Sequence, residues 1–331
     1  MKWNAFGLAE PAIDKTKELL FPIRFGYWMK LGLVSLLSVG TGMGGSIRVP
    51  SSGGSSFSNK KIANITGNVI SNSQKAAIGL IGTLVFALGI IYLIWNFITS
   101  IFTFVFIDAL ILKDYSIKKS WGKNKSQGVS FFGFRILISV LSLLAIGLIF
   151  LPLIVQLLQN GVINYFTNNS FSRILITLIP SIILSLLWLL ILGIFMMFVL
   201  NFSLVDMYKN KIGITRSIKN TFRQIRTQKL ESFVYLLANF VFSIAIAVLF
   251  LIVLIPIIIV FGLIGLALFF GIFIFSKIVA IIILVPYVIF VIYAFSVVLL
   301  PFSVFMRYFS LLGYEKLFAT KLLTSKRLIK S

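Results

Sequence analysis

Residues 232–276 read SFVYLLANFVFSIAIAVLFLIVLIPIIIVFGLIGLALFFGIFIFS, and none of these 45 residues is Asp, Glu, Lys or Arg. Three further stretches, 136–172, 174–205 and 278–306, also lack these four residue types. A helix needs about 20 mostly apolar residues to cross a hydrocarbon core about 30 Å thick. Because lipid offers the backbone no hydrogen-bond partners, helices are the expected form of such spans. The sequence therefore predicts an all-α integral membrane protein.

The composition supports the same fold class and excludes several kinds of site. Of the 331 residues, 59% are hydrophobic and 11% are charged, whereas a soluble domain carries roughly 25% charged residues. There is no cysteine and no histidine, which excludes disulfides, thiol catalysis and zinc sites built on the usual ligands. The net charge of +22 comes from basic residues between the apolar runs. We therefore attribute it to membrane topology and expect no nucleic-acid partner.

The hydropathy pattern predicts one membrane domain over residues 1–331, folded as a bundle of about six transmembrane helices. The spans are expected near residues 27–43, 76–107, 131–158, 173–205, 233–256 and 278–306. Residues 1–25 are predicted to form an amphipathic helix at the membrane interface. Residues 44–75, rich in Gly, Ser and Asn, are expected to form a flexible external loop. Residues 307–331 are expected to be a basic cytoplasmic tail.

The distribution of positive charge predicts the orientation. Six alternating spans place 24 of the 30 Lys and Arg residues on one side, which by the positive-inside rule is the cytoplasm. Both termini are then cytoplasmic, in the cell membrane. The long run 232–276 leaves two alternatives open, since as one helix it would measure roughly 68 Å. It contains either two crossings, or one crossing followed by a re-entrant or interfacial segment at 257–277; the charge pattern favours one crossing.

A weak internal repeat marks the ends of three apolar runs. The repeated segments are FVFIDALILK at 104–113, FSLVDMYKNK at 202–211 and PFSVFMRYF at 301–309. Asp108 and Asp206 occupy equivalent positions in the first two segments and are the only acidic residues beside long apolar runs. One hypothesis is a carboxylate pair that binds a cation or relays protons, since ionisable groups in a bilayer are often functional. The alternative is that both are helix-end residues in the hydrated headgroup zone.

Residues 212–231 are predicted to form a basic amphipathic helix on the cytoplasmic face. On a helical wheel the apolar side carries Ile214, Ile218, Phe222 and Ile225. The adjacent side carries Arg216, Lys219, Arg223 and Arg226. This pattern is typical of a helix that lies in the membrane interface and contacts anionic headgroups. The alternative is a positive-inside segment that fixes orientation and binds nothing specific.

Four amide side chains fall within or beside the predicted spans: Asn96, Gln156, Asn201 and Asn239. Such amides usually form hydrogen bonds with neighbouring helices, worth about 0.6 kcal/mol on average. A solute path lined by them is the alternative.

Two segments carry a resemblance to a known family. They are AIDKTKELLFPIRFGYWMKLGLVSLL at 12–37 and DALILKDYSIKKSWGKNKSQGVSFFGFRI at 108–136. The chain resembles an uncharacterised archaeal family of multi-pass membrane proteins. More distantly, it is similar to the membrane domain fused to some glycerophosphodiester phosphodiesterases, without their catalytic domain. The resemblance implies an archaeal cell membrane and supplies no activity, cofactor or catalytic residue.

No catalytic constellation is recognisable, so the sequence predicts neither an enzyme nor a cofactor. The favoured hypothesis is a structural, interaction or lipid-organising component of the membrane. Its expected partners are anionic membrane lipids and an unidentified membrane protein. The alternative from another class is a transporter or channel, which the repeat favours and the scarcity of charge within the spans disfavours. A lipid-processing enzyme would have to rest on a few carboxylates alone.

Overall fold

The computed structural model describes residues 5–38, 72–112, 116–160, 171–273, 277–320 and 323. Every regular element within these ranges is helical, so the all-α prediction is confirmed for them. The helices are α1 Ala9–Leu20, α2 Phe25–Ser38, α3 Asn72–Leu112, α4 Ile117–Ile149, α5 Leu151–Asn160, α6 Phe171–Phe198, α7 Leu204–Asn210, α8 Ile214–Thr227, α9 Lys229–Phe273, α10 Lys277–Val298 and α11 Leu300–Leu317. A 3₁₀ turn, Phe6–Leu8, precedes α1, and a π-helical turn, Val199–Ser203, joins α6 to α7.

Four stretches of helix are long and apolar enough to cross a membrane. They are Gly82–Leu112, Ile117–Ile149, Leu178–Asn210 and Lys229–Ile272. A fifth is counted if α10 and α11, which bend by 49° at their junction, form one broken span. The described residues therefore hold four to five candidate spans rather than the six that the sequence predicts.

The difference from six lies in the first predicted span. Helix α2 has 14 residues, which at 1.5 Å per residue is about 21 Å, short of a core about 30 Å thick. The rest of that predicted span, up to residue 43, lies outside the described residues. The last predicted span is also changed, because it bends where α10 gives way to α11 instead of running straight to residue 306.

The run that decides the fold class forms one continuous helix. Helix α9 has 45 residues and includes Pro256 without a break. Neither a turn between two crossings nor a separate re-entrant segment interrupts it up to Phe273. By contrast, the chain does break at Phe150, two residues before Pro152.

The helices pack in a defined order of neighbours. Helices α3 and α4 form a hairpin, α2 lies against α3 and α10, α9 packs on α10, and α1 packs on α11. Close approach of α3 and α4 depends on Gly128, because a Cβ atom there would lie 2.9 Å from Ile101 Cα. Gly32 serves the same purpose between α2 and α10, where its Cβ would lie 2.7 Å from Val297 Cγ2.

The buried core lies at one end of the bundle. Its residues come mainly from the last turns of α3, from the π-turn with α7, and from α11. The most apolar windows of α4 and α9 contain no buried residue. Leu143 on α4 is 72% exposed and Ile252 on α9 is 62% exposed. The long helices therefore turn most of their apolar side chains outward, away from the core.

The N-terminal and C-terminal segments meet in this core. Helix α1 buries Ala12, Thr16 and Leu20 and packs on α11, so the helix expected in residues 1–25 is present. Its position on a membrane surface stays a prediction. Residues 307–317, assigned to the basic tail from sequence, belong to α11 and are mostly buried. Of the predicted loop 44–75, residues 44–71 lie outside the described residues and 72–75 begin α3.

Candidate functional site

Hydrogen bonds join the three repeated segments at the buried end of the bundle. The Tyr208 hydroxyl donates to Asp108 Oδ1 at 2.6 Å. The Tyr308 hydroxyl donates to the Leu110 carbonyl oxygen at 2.9 Å. Tyr208 and Tyr308 hold the same place in the second and third repeats, so equivalent tyrosines both bond to the first repeat. The second and third repeated segments therefore each form a hydrogen bond with the first.

Asp108 lies in the last turns of α3, as predicted for a helix-end residue, but it is 1% exposed. Besides Tyr208 it accepts a hydrogen bond from the Ser120 hydroxyl in the first turn of α4. A buried carboxylate is costly unless donors surround it, and these two hydroxyls provide that compensation. Asp108 therefore links the last turns of α3 to the first turn of α4.

Asp206 is 2% exposed and has its own set of donors. Its Oδ1 atom accepts from the Tyr314 hydroxyl at 2.9 Å and from Asn210 Nδ2 at 2.7 Å. Its Oδ2 atom accepts from Asn220 Nδ2 at 3.2 Å. Among the described residues, the donors to Asp206 differ from those to Asp108. Within the described ranges no three potential metal-binding side chains of His, Cys, Asp or Glu converge, and a role of the two carboxylates in cation binding or proton relay stays a prediction.

The π-turn supplies a second set of polar contacts. The Arg307 Nη1 atom donates to the Leu200 carbonyl oxygen at 3.1 Å, and the Ser310 hydroxyl donates to Asn201 Oδ1 at 2.5 Å. Asn201 thus bonds a neighbouring helix, as expected for an amide within a span. Asn96 instead donates to the Tyr92 carbonyl of its own helix, and both polar atoms of Asn239 are buried without a hydrogen-bond partner among the described residues.

Helix α8 is the predicted basic helix, and it rests on the core through small polar side chains. The Ser217 hydroxyl donates to the Ser203 carbonyl oxygen at 2.6 Å, and the Ser203 hydroxyl donates to Thr221 Oγ1 at 3.0 Å. Gln224 Nε2 donates to the Leu317 carbonyl oxygen at 2.7 Å. Positions 217, 221 and 224 recur at helical spacing, so the sequence contains this polar stripe, although the predicted amphipathic pattern gives it no role.

The four predicted cations of α8 lie on its exposed side, and three of them border a groove. The groove has a volume of about 630 Å³. Its lining residues are Lys219, Asn220, Phe222, Arg223, Ile225, Arg226 and Lys229. Three of the predicted cations line the groove, Lys229 adds a fourth that the sequence prediction omitted, and Arg216 lies outside it. None of the described residues lining the groove is acidic.

Aromatic and apolar groups share the groove with the cations. Phe222 is 46% exposed, and its ring stacks on Phe195 of α6 with the centroids 6.1 Å apart. Ile225 is half-buried, whereas Ile214, on the predicted apolar side, is buried in the core. The apolar side of α8 is therefore divided between the protein interior and the exposed groove.

Lys211 connects α8 with the basic start of α4. It has a left-handed backbone conformation, with φ of 53°, and its Nζ atom donates to Asn124 Oδ1 at 3.0 Å. Partial burial and the Lys123 ammonium lower the pKa of Lys211, while Asp108 opposes the shift. Two basic segments of the chain are therefore held next to each other at this end of the molecule.

The chain matches a known protein family. A model described as that of a family of unknown function matches residues 3–319, nearly the whole chain. No curated protein and no solved structure matches.

Proposed function

The chain belongs to a family of unknown function (DUF7544), and on that premise we propose that it is a multi-pass protein of the cell membrane that organises anionic lipids. Its basic groove on α8 and the start of α9 would hold their headgroups at the cytoplasmic face. Archaeal origin and a relation to membrane domains of glycerophosphodiester phosphodiesterases remain predictions of the sequence resemblance.

The outward-facing apolar helices support membrane insertion. Apolar surface left in water costs roughly 25 cal/mol per Å², and soluble monomers rarely expose contiguous apolar patches beyond a few hundred Å². Here whole helical windows of α4 and α9 face outward, with large side chains such as Leu144 and Ile259 more than half exposed. A bilayer would cover these faces at no such cost.

The contacts at the buried end support a common cytoplasmic side for the basic segments. Helix α1 packs on α11, Gln224 of α8 bonds to Leu317 of α11, and Lys211 bonds to Asn124 of α4. These contacts bring together parts of the four basic segments that the charge distribution assigns to the cytoplasm, which are residues 1–30, 113–135, 209–229 and 307–331. The orientation proposed from the positive-inside rule therefore agrees with which segments are neighbours.

The single observation that carries the proposed role is the composition of the groove. Four exposed cations, Lys219, Arg223, Arg226 and Lys229, lie beside the exposed ring of Phe222. Each cation near an anionic surface contributes about 1 kcal/mol, and an aromatic ring at the same level suits the boundary between headgroups and acyl chains. We do not extend the proposal to transport, because both buried carboxylates are engaged by protein donors.

The test compares two quadruple variants of equal charge change. In the first, Lys219, Arg223, Arg226 and Lys229 are replaced by Ser. In the control, Lys118, Lys119, Lys123 and Lys125 at the start of α4 are replaced by Ser. Both remove four of the 24 basic residues assigned to the cytoplasmic side, so insertion is expected to be unchanged in each.

Native mass spectrometry of the purified proteins measures the anionic lipid that each retains. We expect the groove variant to lose most of the anionic lipid that the wild type and the control variant keep. Equal retention by all three proteins would reject the lipid-organising role and leave the cations a topological role only.

A further inference from the structure

We infer that the groove selects an anionic lipid whose headgroup is a phosphodiester bearing free hydroxyls, such as phosphoglycerol, with Asn220 as the residue that determines this preference. This inference rests on the proposed function and specifies the class of lipid. It follows from which hydrogen-bonding groups the groove offers and which it lacks.

The cations define the charge of the ligand. Lys and Arg side chains donate hydrogen bonds and accept none. A ligand must therefore offer negatively charged acceptor oxygens to the four lining cations, Lys219, Arg223, Arg226 and Lys229. A phosphodiester supplies two such oxygens, and Arg binds them with its planar fork of donors. Because no acidic residue belongs to the described lining, an ammonium group on the headgroup would meet only like charge. Headgroups that carry an amine are therefore disfavoured.

Among the described residues that line the groove, Asn220 is the one whose side chain can accept a hydrogen bond. Its Nδ2 atom donates to Asp206 Oδ2 at 3.2 Å, and this bond fixes which way the amide points. The carbonyl oxygen Oδ1 is then the acceptor that the side chain offers to a ligand in the groove. The Asn220 oxygen, placed among four cations, can accept a hydrogen bond from a donor group on the anionic lipid headgroup. A hydroxyl group is the donor that adds no positive charge.

Asp206 acts on the groove through Asn220. Its other oxygen, Oδ1, is held by Tyr314 and Asn210, so the carboxylate cannot turn to release Asn220 without losing those bonds. Asp206 is thus a positioning residue, which explains why a buried carboxylate lies beneath a basic surface without contacting any of its four lining cations. The apolar lining residues Phe222 and Ile225 would contact the first part of the lipid's acyl chains.

The test is a competition among three lipids that share the diacylglycerol phosphate unit. The purified full-length chain is exposed in detergent to equal amounts of phosphatidylglycerol, phosphatidylethanol and phosphatidylserine, and native mass spectrometry counts the bound lipids. Phosphatidylethanol has the charge of phosphatidylglycerol but no hydroxyl. We expect phosphatidylglycerol to be retained about two- to tenfold over phosphatidylethanol, the effect of one hydrogen bond, and phosphatidylserine to be retained least.

Two variants locate the preference. Asn220→Ala is expected to bind phosphatidylglycerol and phosphatidylethanol equally, with retention of phosphatidylethanol unchanged. Asn210→Ala is the matched control, because Asn210 also donates to Asp206 but does not line the groove, and it is expected to keep the wild-type preference. If Asn220→Ala does not fold, the competition on the wild type alone decides.

The outcomes separate the two claims. Equal binding of phosphatidylglycerol and phosphatidylethanol by the wild type would overturn the hydroxyl preference while leaving the lipid-organising role intact. A preference that persists in Asn220→Ala would overturn the role of that residue. A wild type that binds none of the three lipids would overturn both the inference and the proposed function.

Discussion

The Tyr208 hydroxyl donates a 2.6 Å hydrogen bond to the Asp108 carboxylate, which lies 100 residues earlier in the chain. Both residues are buried, and the bond joins the first repeated segment to the second. It therefore ties the helical hairpin of α3 and α4 to the part of the chain that carries the basic groove.

Replacing Tyr208 with Phe is expected to lower stability more than replacing Tyr308 with Phe. Tyr208 bonds to a carboxylate, whereas Tyr308 bonds to the Leu110 carbonyl oxygen. A hydrogen bond to a charged group is worth about 1.5–3 kcal/mol and a neutral one about 0.5–1.5 kcal/mol. Thermal unfolding of the two purified variants in the same detergent measures the difference. A Tm loss in Tyr308→Phe equal to or larger than that in Tyr208→Phe would contradict the account.

Asp206→Asn is expected to destabilise the protein by about 1–3 kcal/mol, because the new amide nitrogen takes the place of one of the two acceptor oxygens. Asp14→Asn is the control, since Asp14 is exposed on α1 and such surface changes usually fall within about 0.5 kcal/mol. Unfolding midpoints of both variants provide the measurement. If Asp206→Asn were as stable as Asp14→Asn, the hydrogen bonds to Asp206 would contribute nothing to the free energy of unfolding.

Two glycines of α4 form a matched pair. A Cβ atom at Gly128 would lie 2.9 Å from the backbone of Ile101, whereas one at Gly133 meets nothing within 4 Å. Gly128→Ala is expected to separate α3 from α4 and to cost about 1–3 kcal/mol, as overpacking does. Gly133→Ala is expected to stabilise α4 by about 0.5–1 kcal/mol. Opposite signs in the two Tm shifts are the expected result, and a harmless Gly128→Ala would mean that α3 and α4 do not pack this closely.

Variants of Arg216 and Arg223 distinguish the effect of the groove on lipid binding from the effect of the overall positive charge of α8. Both are exposed, but only Arg223 lines the groove. Arg223→Ser is therefore expected to reduce retained anionic lipid severalfold, about the effect of 1 kcal/mol, and Arg216→Ser is expected to reduce it less. Lipid counts per protein from native mass spectrometry give the comparison. Equal losses would show that the whole basic face, rather than the groove, attracts the lipid.

The long helices could be predicted from sequence because they depend on a local property, the absence of charge over lengths that cross a bilayer. Their breaks could not be predicted from proline alone. Pro152 follows an interruption at Phe150, while Pro256 lies inside an unbroken helix. Whether a proline ends a helix depends on which group replaces the lost hydrogen bond. That group comes from whichever helices pack nearby, and the sequence alone does not show which helices those are.

The burial of the two aspartates also could not be predicted from the sequence. Their place at the ends of apolar runs was visible, but their donors lie 12 residues away for Ser120 and 108 residues away for Tyr314. The same holds for α8, whose cations the helical wheel identified. The helical wheel gives no role to Ser217 and Thr221, because small polar side chains change the hydrophobicity of a helix face very little. In the structure these two side chains form the hydrogen bonds that hold α8 against the core.

The central claim, that the basic groove lies on the cytoplasmic side of a membrane-spanning bundle, has one direct test. The chain has no cysteine, so a single cysteine introduced by Thr227→Cys, at the exposed end of α8, reports only on that site, and Ser56→Cys reports on the loop predicted to be external. A membrane-impermeant maleimide applied to intact cells should label the Ser56→Cys protein and spare the Thr227→Cys protein, and both should react after the cells are opened. Labelling of the Thr227→Cys protein in intact cells would place the groove outside and contradict the account.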